Sequence, residues 1–197
     1  MPVPKQIHQI WIGDKKPPNQ WLDTWKKSSL SRKLWREKDI DSLHLINRDK
    51  YDYFISIKDF AGAADVARVE ILLKYGGVYL DADSICLEPF DNEYFMENSF
   101  FAVQEYDRRV ANGVIGCEPN HDIIKLYQER ITEATVIEPP CYTIGGTMLT
   151  SCIEEFGRMK ISILPSYTFY PKWKHRGSIQ GKIFARQMWG STKSLYE

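Results

Sequence analysis

A chain of 197 residues with 43% hydrophobic and 26% charged residues can bury one substantial core and is too apolar to stay disordered. Lysine plus arginine equals aspartate plus glutamate at 26 each, so no net field marks a nucleic-acid or membrane-surface partner. The opening MPVPKQIHQIWIG lacks the apolar run of a signal peptide, no later run suits a membrane span, and Cys86, Cys117, Cys141 and Cys152 show no ligand spacing, which together imply a cytoplasmic protein with reduced thiols.

QIHQIWIG reads as a buried strand ending at Gly13, and Pro17–Pro18 enforces a loop after it. WLDTWKKSSL has helical spacing, RKLWRE suits a second strand, and KDIDSLHLIN sets Ile40, Leu43 and Ile46 on one helical stripe. The next helix is expected from about Ala63 to Tyr75, with Val66, Val69, Leu72 and Leu73 as its apolar face and Gly76 as its left-handed cap. GVYLDAD, FFAVQEY and NGVIGC follow as strands. PNHDIIKLYQERITEA is a helix with Asn120 as N-cap and Ile123, Ile124, Tyr127 and Ile131 turned inward. ISILPSYTFYP closes the regular part, and a basic, aromatic tail follows. Strands alternating with helices, without repeat or linker, indicate one α/β domain over residues 1–197 with a mainly parallel central sheet.

The stretch LLKYGGVYLDADSICLEPF carries the chemistry. If the strand alternates throughout, Val78, Leu80 and Ala82 share one face while Tyr79, Asp81 and Asp83 share the other. Two carboxylates would then project at a carboxyl strand end, where open α/β sheets bind ligands. They repel unless a positive group stands beside them, and a hard divalent cation holding a diphosphate meets that need. The ordinary alternative is a pair of solvated turn residues. Asp65 and Arg68, three apart, share one face of the preceding helix; their ordinary alternative is a surface ion pair. Trp11, just before Gly13, suits stacking or simple core filling. His8 reads as a satisfied buried histidine, and His44, His121 and His175 have no partner at ligand spacing.

IHQIWIG at 7–13, LWREKDIDSL at 34–43, AADVARVEILLKYGGVYLDAD at 63–83 and, more weakly, NGVIG at 112–116 resemble the glycosyltransferases with a DXD-containing sugar-binding region. That family includes capsular polysaccharide transferases, initiating mannosyltransferases and, more distantly, glucosylating clostridial toxins. The resemblance implies a GT-A fold, a UDP- or GDP-sugar donor, a divalent metal (Mn2+ or Mg2+) and transfer with retention. It marks Asp83 as the direct metal ligand and Asp81 as its partner toward donor and metal. It pairs Asp65 with Arg68 on hydroxyls of the moving sugar and sets Trp11 on the nucleotide base. Tyr79 and Asn112 would line the same site. Near the end, ARQMWGSTKS departs from the family's His-x-Trp-x-Gly-Ser-Trp pattern: Trp189 and Ser191 fit, Gln187 or Met188 stands at the His position, and Thr192 replaces a Trp. Gln187 and Ser191 thus become the candidate last ligands of the metal, and Trp189 a donor contact.

Three other readings compete. VYLDADSI also resembles the first motif of haloacid-dehalogenase-type phosphatases, but the later acidic pair that family needs is missing from the sequence. A degenerate module that binds sugar nucleotides without turnover would explain the altered C-terminal motif. Finally, Lys172, Lys174, Arg176, Lys182 and Arg186 interleave with Tyr170, Trp173, Phe184 and Trp189, a mixture that can grip nucleic acid, so modified nucleic-acid bases join saccharides and proteins as candidate acceptors.

Overall fold

The computed structural model describes residues 1–135, 140–171, 181–190 and 195. The chain opens with β1 (Gln6–Ile10), a single turn α1 (Asn19–Leu22) that tightens into a 3-10 turn, β2 (Ser31–Trp35), α2 (Glu37–Asp41) and α3 (Arg48–Ser56). Next come α4 (Phe60–Tyr75), β3 (Gly77–Leu80), β4 (Ser84–Cys86), β5 (Phe100–Tyr106) and β6 (Arg109–Cys117). The last part holds α5 (Asp122–Glu133), α6 (Pro140–Thr143), α7 (Gly146–Phe156), β7 (Ser162–Leu164) and β8 (Ala185–Gln187).

Six strands form the main sheet in the order β2-β1-β3-β6-β5-β7, and β4 pairs with β8 in a separate ribbon. The pairs β1–β2, β1–β3 and β5–β7 are parallel, while β6 is antiparallel to both β3 and β5, so five of the six strands run one way. Strand alternation divides the core between the two faces. Tyr79, Phe100 and Ala102 face the side covered by α3, α4, α5 and α7, whereas Val78, Leu80, Phe101 and Val103 face an aromatic layer of Phe90, Phe95, Phe169 and Phe184. Helix α4 is buried along most of its length because it lies between the sheet and its neighbouring helices, and Asp59 caps it by accepting from the Gly62 amide at 2.9 Å.

The turn from α4 into β3 is where glycine is required. Gly76 and Gly77 take φ of 61° and 90°, and a side chain would meet the Pro119 nitrogen at 2.6 Å or the Gln6 carbonyl at 2.7 Å. His8 locks this turn: its Nε2–H donates to the Gly76 carbonyl (3.0 Å), and its Nδ1 accepts from the Trp35 indole (3.1 Å). The ring is wholly buried, as read from the sequence. That bonding requires the neutral tautomer, and burial pushes its pKa down to about 4.

Several boundaries differ from the sequence reading. The helix expected at Ala63 begins at Phe60, because Asp59 supplies its cap. Of KDIDSLHLIN only Lys38–Asp41, the end of α2, is helical, so Ile46 leaves the expected stripe and is 63% exposed. The cap of α5 is His121, not Asn120: its Nδ1 accepts from the Ile123 amide while its ring packs between Phe100 and Phe156. Asn120 instead takes the left-handed turn before it, at φ 56°. Helix α7 is an element the sequence reading passes over. Cys86, Cys117 and Cys152 are free and buried; the Cys141 side chain, like His175, lies outside the described residues.

His8 sets a pH dependence with a definite sign. Its folded pKa lies below its unfolded value, so its stabilising effect is complete above about pH 6.5 and is lost as pH falls toward 4. Between pH 7.5 and pH 5 the wild type should lose about 2 kcal/mol relative to a His8→Gln variant, by urea unfolding of both proteins. Parallel pH profiles would refute this account of the junction.

Candidate active site

The carboxyl ends of the parallel neighbours β1 and β3, the N-terminal half of α4, the middle of β6 and the end of β8 enclose a cavity of about 740 Å³. This volume suits a ligand of nucleotide-sugar size. Trp11 borders it at the β1 end and stays partly exposed, its indole N–H donating to the Lys15 carbonyl at 2.8 Å. It is therefore a wall of the cavity and not core filling. Lys15 and Asp14 stand at the same rim.

Asp65 and Arg68 form the cavity wall on α4. They are 7% and 5% exposed, so the pair is buried and not the surface ion pair that helical spacing also allows. Arg68 Nη2 lies 2.8 Å from Asp65 Oδ1 and 3.6 Å from Asp81 Oδ1, and Nη1 donates to the Asn112 carbonyl at 2.7 Å. The Asn112 amide donates to Asp65 at 2.9 Å. The Tyr79 ring lies 4.4 Å from the guanidinium, and its hydroxyl donates to Asp81 Oδ1 at 3.1 Å. Burial outweighs Arg68 and pushes the Asp65 carboxyl up to about 6.

Strand β3 ends at Leu80, so the alternation expected through residue 83 stops short. A tight turn takes over, in which the Ser84 amide (3.1 Å) and hydroxyl (2.7 Å) both donate to the Asp81 carbonyl. The turn, and not strand pleating, aims Asp83. The β4–β8 pairing sets Ser84 opposite Gln187 and brings the C-terminal segment onto this turn. The Gln187 amide nitrogen lies 2.5 Å from Asp83 Oδ1 and 3.5 Å from Asp81 Oδ2. The Gly190 amide donates to Asp83 Oδ2 at 2.9 Å, and the Met188 amide to the Asp83 carbonyl at 2.9 Å. Of the two residues considered for the family's His position, the structure thus puts Gln187 at the acidic turn. Trp189 borders the cavity beside Tyr170, with ring centroids 6.4 Å apart. Ser191 and Thr192 lie outside the described residues.

Two residues that the sequence reading did not assign to this site matter here. Gly113 gives Asp81 its seat: a Cβ there would lie 2.4 Å from Asp81 Oδ2 and 3.0 Å from the Tyr170 hydroxyl. Tyr170, buried against the same point, has its hydroxyl pKa raised by burial and then by the Asp81 and Glu105 carboxylates. The NGVIG stretch contains Gly113, but a glycine's role in a close approach shows only once its neighbour is known.

Among the described residues no three His, Cys, Asp or Glu side chains cluster as a metal site. What the turn offers is two carboxylates and one amide, so a cation bound there would take its remaining oxygens from a ligand and water. That donor set fits magnesium or manganese, which keep such positions open, better than zinc.

The sheet order, with β6 reversed between parallel strands and the acidic turn leaving β3, defines a GT-A glycosyltransferase fold. Two solved structures share it: "PaToxG Glycosyltransferase" (TM-score 0.66, 18% identity, 80% of this chain and 71% of that one) and the UDP-bound glycosyltransferase domain from the YGT toxin (TM-score 0.61, 9% identity, 83% and 79%). Residues 7–101 match the family described as glycosyltransferase sugar-binding region containing DXD motif, and the chain is similar to glycosyltransferases of that family. It is 32% identical over 135 residues to an uncharacterised glycosyltransferase of Acanthamoeba polyphaga mimivirus, covering 61% of this chain and 52% of that protein. It is 29% identical over 140 residues to the initiation-specific alpha-1,6-mannosyltransferase of Candida albicans (61% and 34%). Subversion of eukaryotic traffic protein A of Legionella pneumophila is 25% identical over 165 residues (68% and 26%). The chain thus spans about half or less of the length of these curated relatives.

Two substitutions probe the geometry. Gly113→Ala should displace Asp81 and cost about 1–3 kcal/mol in urea unfolding through overpacking. Unchanged stability would show that Asp81 does not need this seat. Arg68→Met leaves Asp65 and Asp81 without their guanidinium and should cost roughly 3–5 kcal/mol in urea unfolding at pH 8. The cost should be smaller at pH 5, where Asp65 takes up its proton.

Proposed function

We propose that residues 1–197 act as one catalytic domain that moves a sugar from a nucleotide-sugar donor, a UDP- or GDP-sugar, to an acceptor hydroxyl with the help of Mn2+ or Mg2+. The observation that carries this reading is the convergence of Asp81, Asp83 and Gln187 beside the buried Asp65–Arg68 pair in one cavity. A relative in fold is a UDP-bound glycosyltransferase domain, which supports a nucleotide donor with uracil as its base.

In this reading Trp11 offers its face to the base at the β1 end. Asp65 accepts from hydroxyls of the transferred sugar, and Arg68, held by Asp65 and the Asn112 carbonyl, keeps that carboxylate aimed. Asn112 and Tyr79 fix the two carboxylates from the opposite side. Asp83 and Asp81, with Ser191 and with Gln187 once its amide turns its oxygen in place of its nitrogen toward them, would hold the cation, which when bound would neutralise the departing diphosphate. Trp189 closes the diphosphate side. Glycosyl–phosphate cleavage builds negative charge on the leaving group, which three carboxylates around one guanidinium do not offset unaided, so the site's own charge favours a cation. Retention is the outcome that the family resemblance implies. The free, buried thiols support a cytoplasmic setting, and no described helix is long and apolar enough to cross a membrane.

The nucleic-acid alternative gains no support from the described part of the tail. Tyr170 and Phe184 are buried in the core, and Lys182 pairs with Glu93. Lys172, Trp173, Lys174 and Arg176 lie outside the described residues.

A thermal-shift screen of UDP- and GDP-sugars, each with manganese or EDTA, tests the proposal. One nucleotide class should stabilise the protein by roughly 2–4 kcal/mol when present well above its Kd. The effect should need manganese and vanish in Asp83→Asn, and slow donor hydrolysis would separate an enzyme from a binding module. No shift with any donor would sink the proposal.

A further inference from the structure

The sheet order lays the proposed donor site out along one edge, with Trp11 just after β1, the acidic turn after β3, and Asn112 on β6. Next along that edge comes the tip of the β5–β6 hairpin, because β5 runs parallel to β1 and β3 and ends at Tyr106 on the same side. Arg109, three residues before Asn112, binds Glu105 there (Nε to Oε2, 3.1 Å) and donates to the Tyr106 hydroxyl at 3.1 Å. Its guanidinium lies 5.7 Å from the Tyr142 ring on α6. Glu105 and Arg109 remain 23% and 20% exposed at their side chains, and Tyr142 is 63% exposed.

Two buried tyrosines tie this cluster to the donor site. The Tyr170 hydroxyl lies beside Asp81 over Gly113, and the Tyr170 amide donates to the carbonyl of Ser166 (2.7 Å), whose hydroxyl donates to the Glu105 carbonyl (3.1 Å). Tyr127 donates to the carbonyls of Ile144 (2.6 Å) and Gly145 (3.2 Å), fixing the chain just after α6. Tyr127 sits on α5, which packs against α4, the helix of Asp65 and Arg68. Helix α6 also packs against α4.

We propose that Glu105, Arg109 and Tyr142 form the acceptor subsite and that it takes a saccharide; the proposal rests on the transferase reading above. A sugar ring presents an apolar face to an exposed aromatic ring and hydroxyls to a carboxylate–guanidinium pair, which can accept from one and donate to the next. The pair is neutral overall, so it offers no excess positive charge to a phosphate-rich acceptor. Its position beyond Asn112 brings the acceptor to the transferred sugar from the side away from the nucleotide base.

The test measures binding of methyl α- and β-glycosides of glucose, galactose and mannose by saturation-transfer NMR, and UDP binding by calorimetry with manganese, in wild type, Tyr142→Ala and Glu105→Gln. The expected result is binding of at least one glycoside to the wild type, weakened tenfold or more in both variants, with the UDP Kd within twofold throughout. In turnover the variants should raise KM for that glycoside more than they lower kcat. Equal glycoside binding in wild type and variants would overturn the subsite, as would transfer to a peptide that Tyr142→Ala leaves unchanged. Glycoside binding that depends on Tyr142 in a protein with no UDP affinity would keep the subsite and sink only the transferase reading.

Discussion

The candidate site hangs on the guanidinium of Arg68. It faces Asp65 and Asp81, donates to the Asn112 carbonyl on β6, and lies against the ring of Tyr79. A buried arginine is costly unless its donors are met and its charge is opposed, and here both conditions hold together. In meeting them Arg68 joins α4, β3 and β6 at one point. The carboxylates and the asparagine that surround it are thus oriented before any ligand arrives, which is the requirement for a site that acts through positioned charge.

The geometry of the acidic turn extends the same logic. Asp81 has one oxygen committed to Tyr79 and Arg68, and the other turned toward Gln187 over Gly113. The Asp83 carboxylate is held by the Gly190 backbone amide and the Gln187 side-chain amide of the C-terminal segment. Asp81 is thus aimed by Tyr79 of its own strand together with Arg68 of α4, whereas Asp83 owes its direction to the C-terminal segment.

Much of this was readable in the residues. Hydrophobic alternation and the double glycine located β3 and the end of α4, and the carboxylates after β3 pointed to the site. The Asp65–Arg68 pair was visible as spacing, but spacing cannot tell a buried pair from a surface one; only the packing of α4 against the sheet does. The stop of β3 at Leu80 was hidden because a turn of Asp, Ala and Asp keeps the same alternating pattern as a strand. The Asn120 cap failed for a related reason: His121 caps with a ring nitrogen while its aromatic body fills core space, a combination that capping preferences do not encode. Gly113, Tyr170 and the hairpin-tip cluster depend on contacts between distant segments, which local sequence does not carry.

The bond between Gln187 and Asp83 spans 104 residues, and β4 finds β8 across a similar stretch of chain. The acidic turn is therefore closed by a three-pair ladder that stands apart from the six-stranded sheet. Opening of that ladder alone would separate Gln187 from Asp83 while the six strands stay paired.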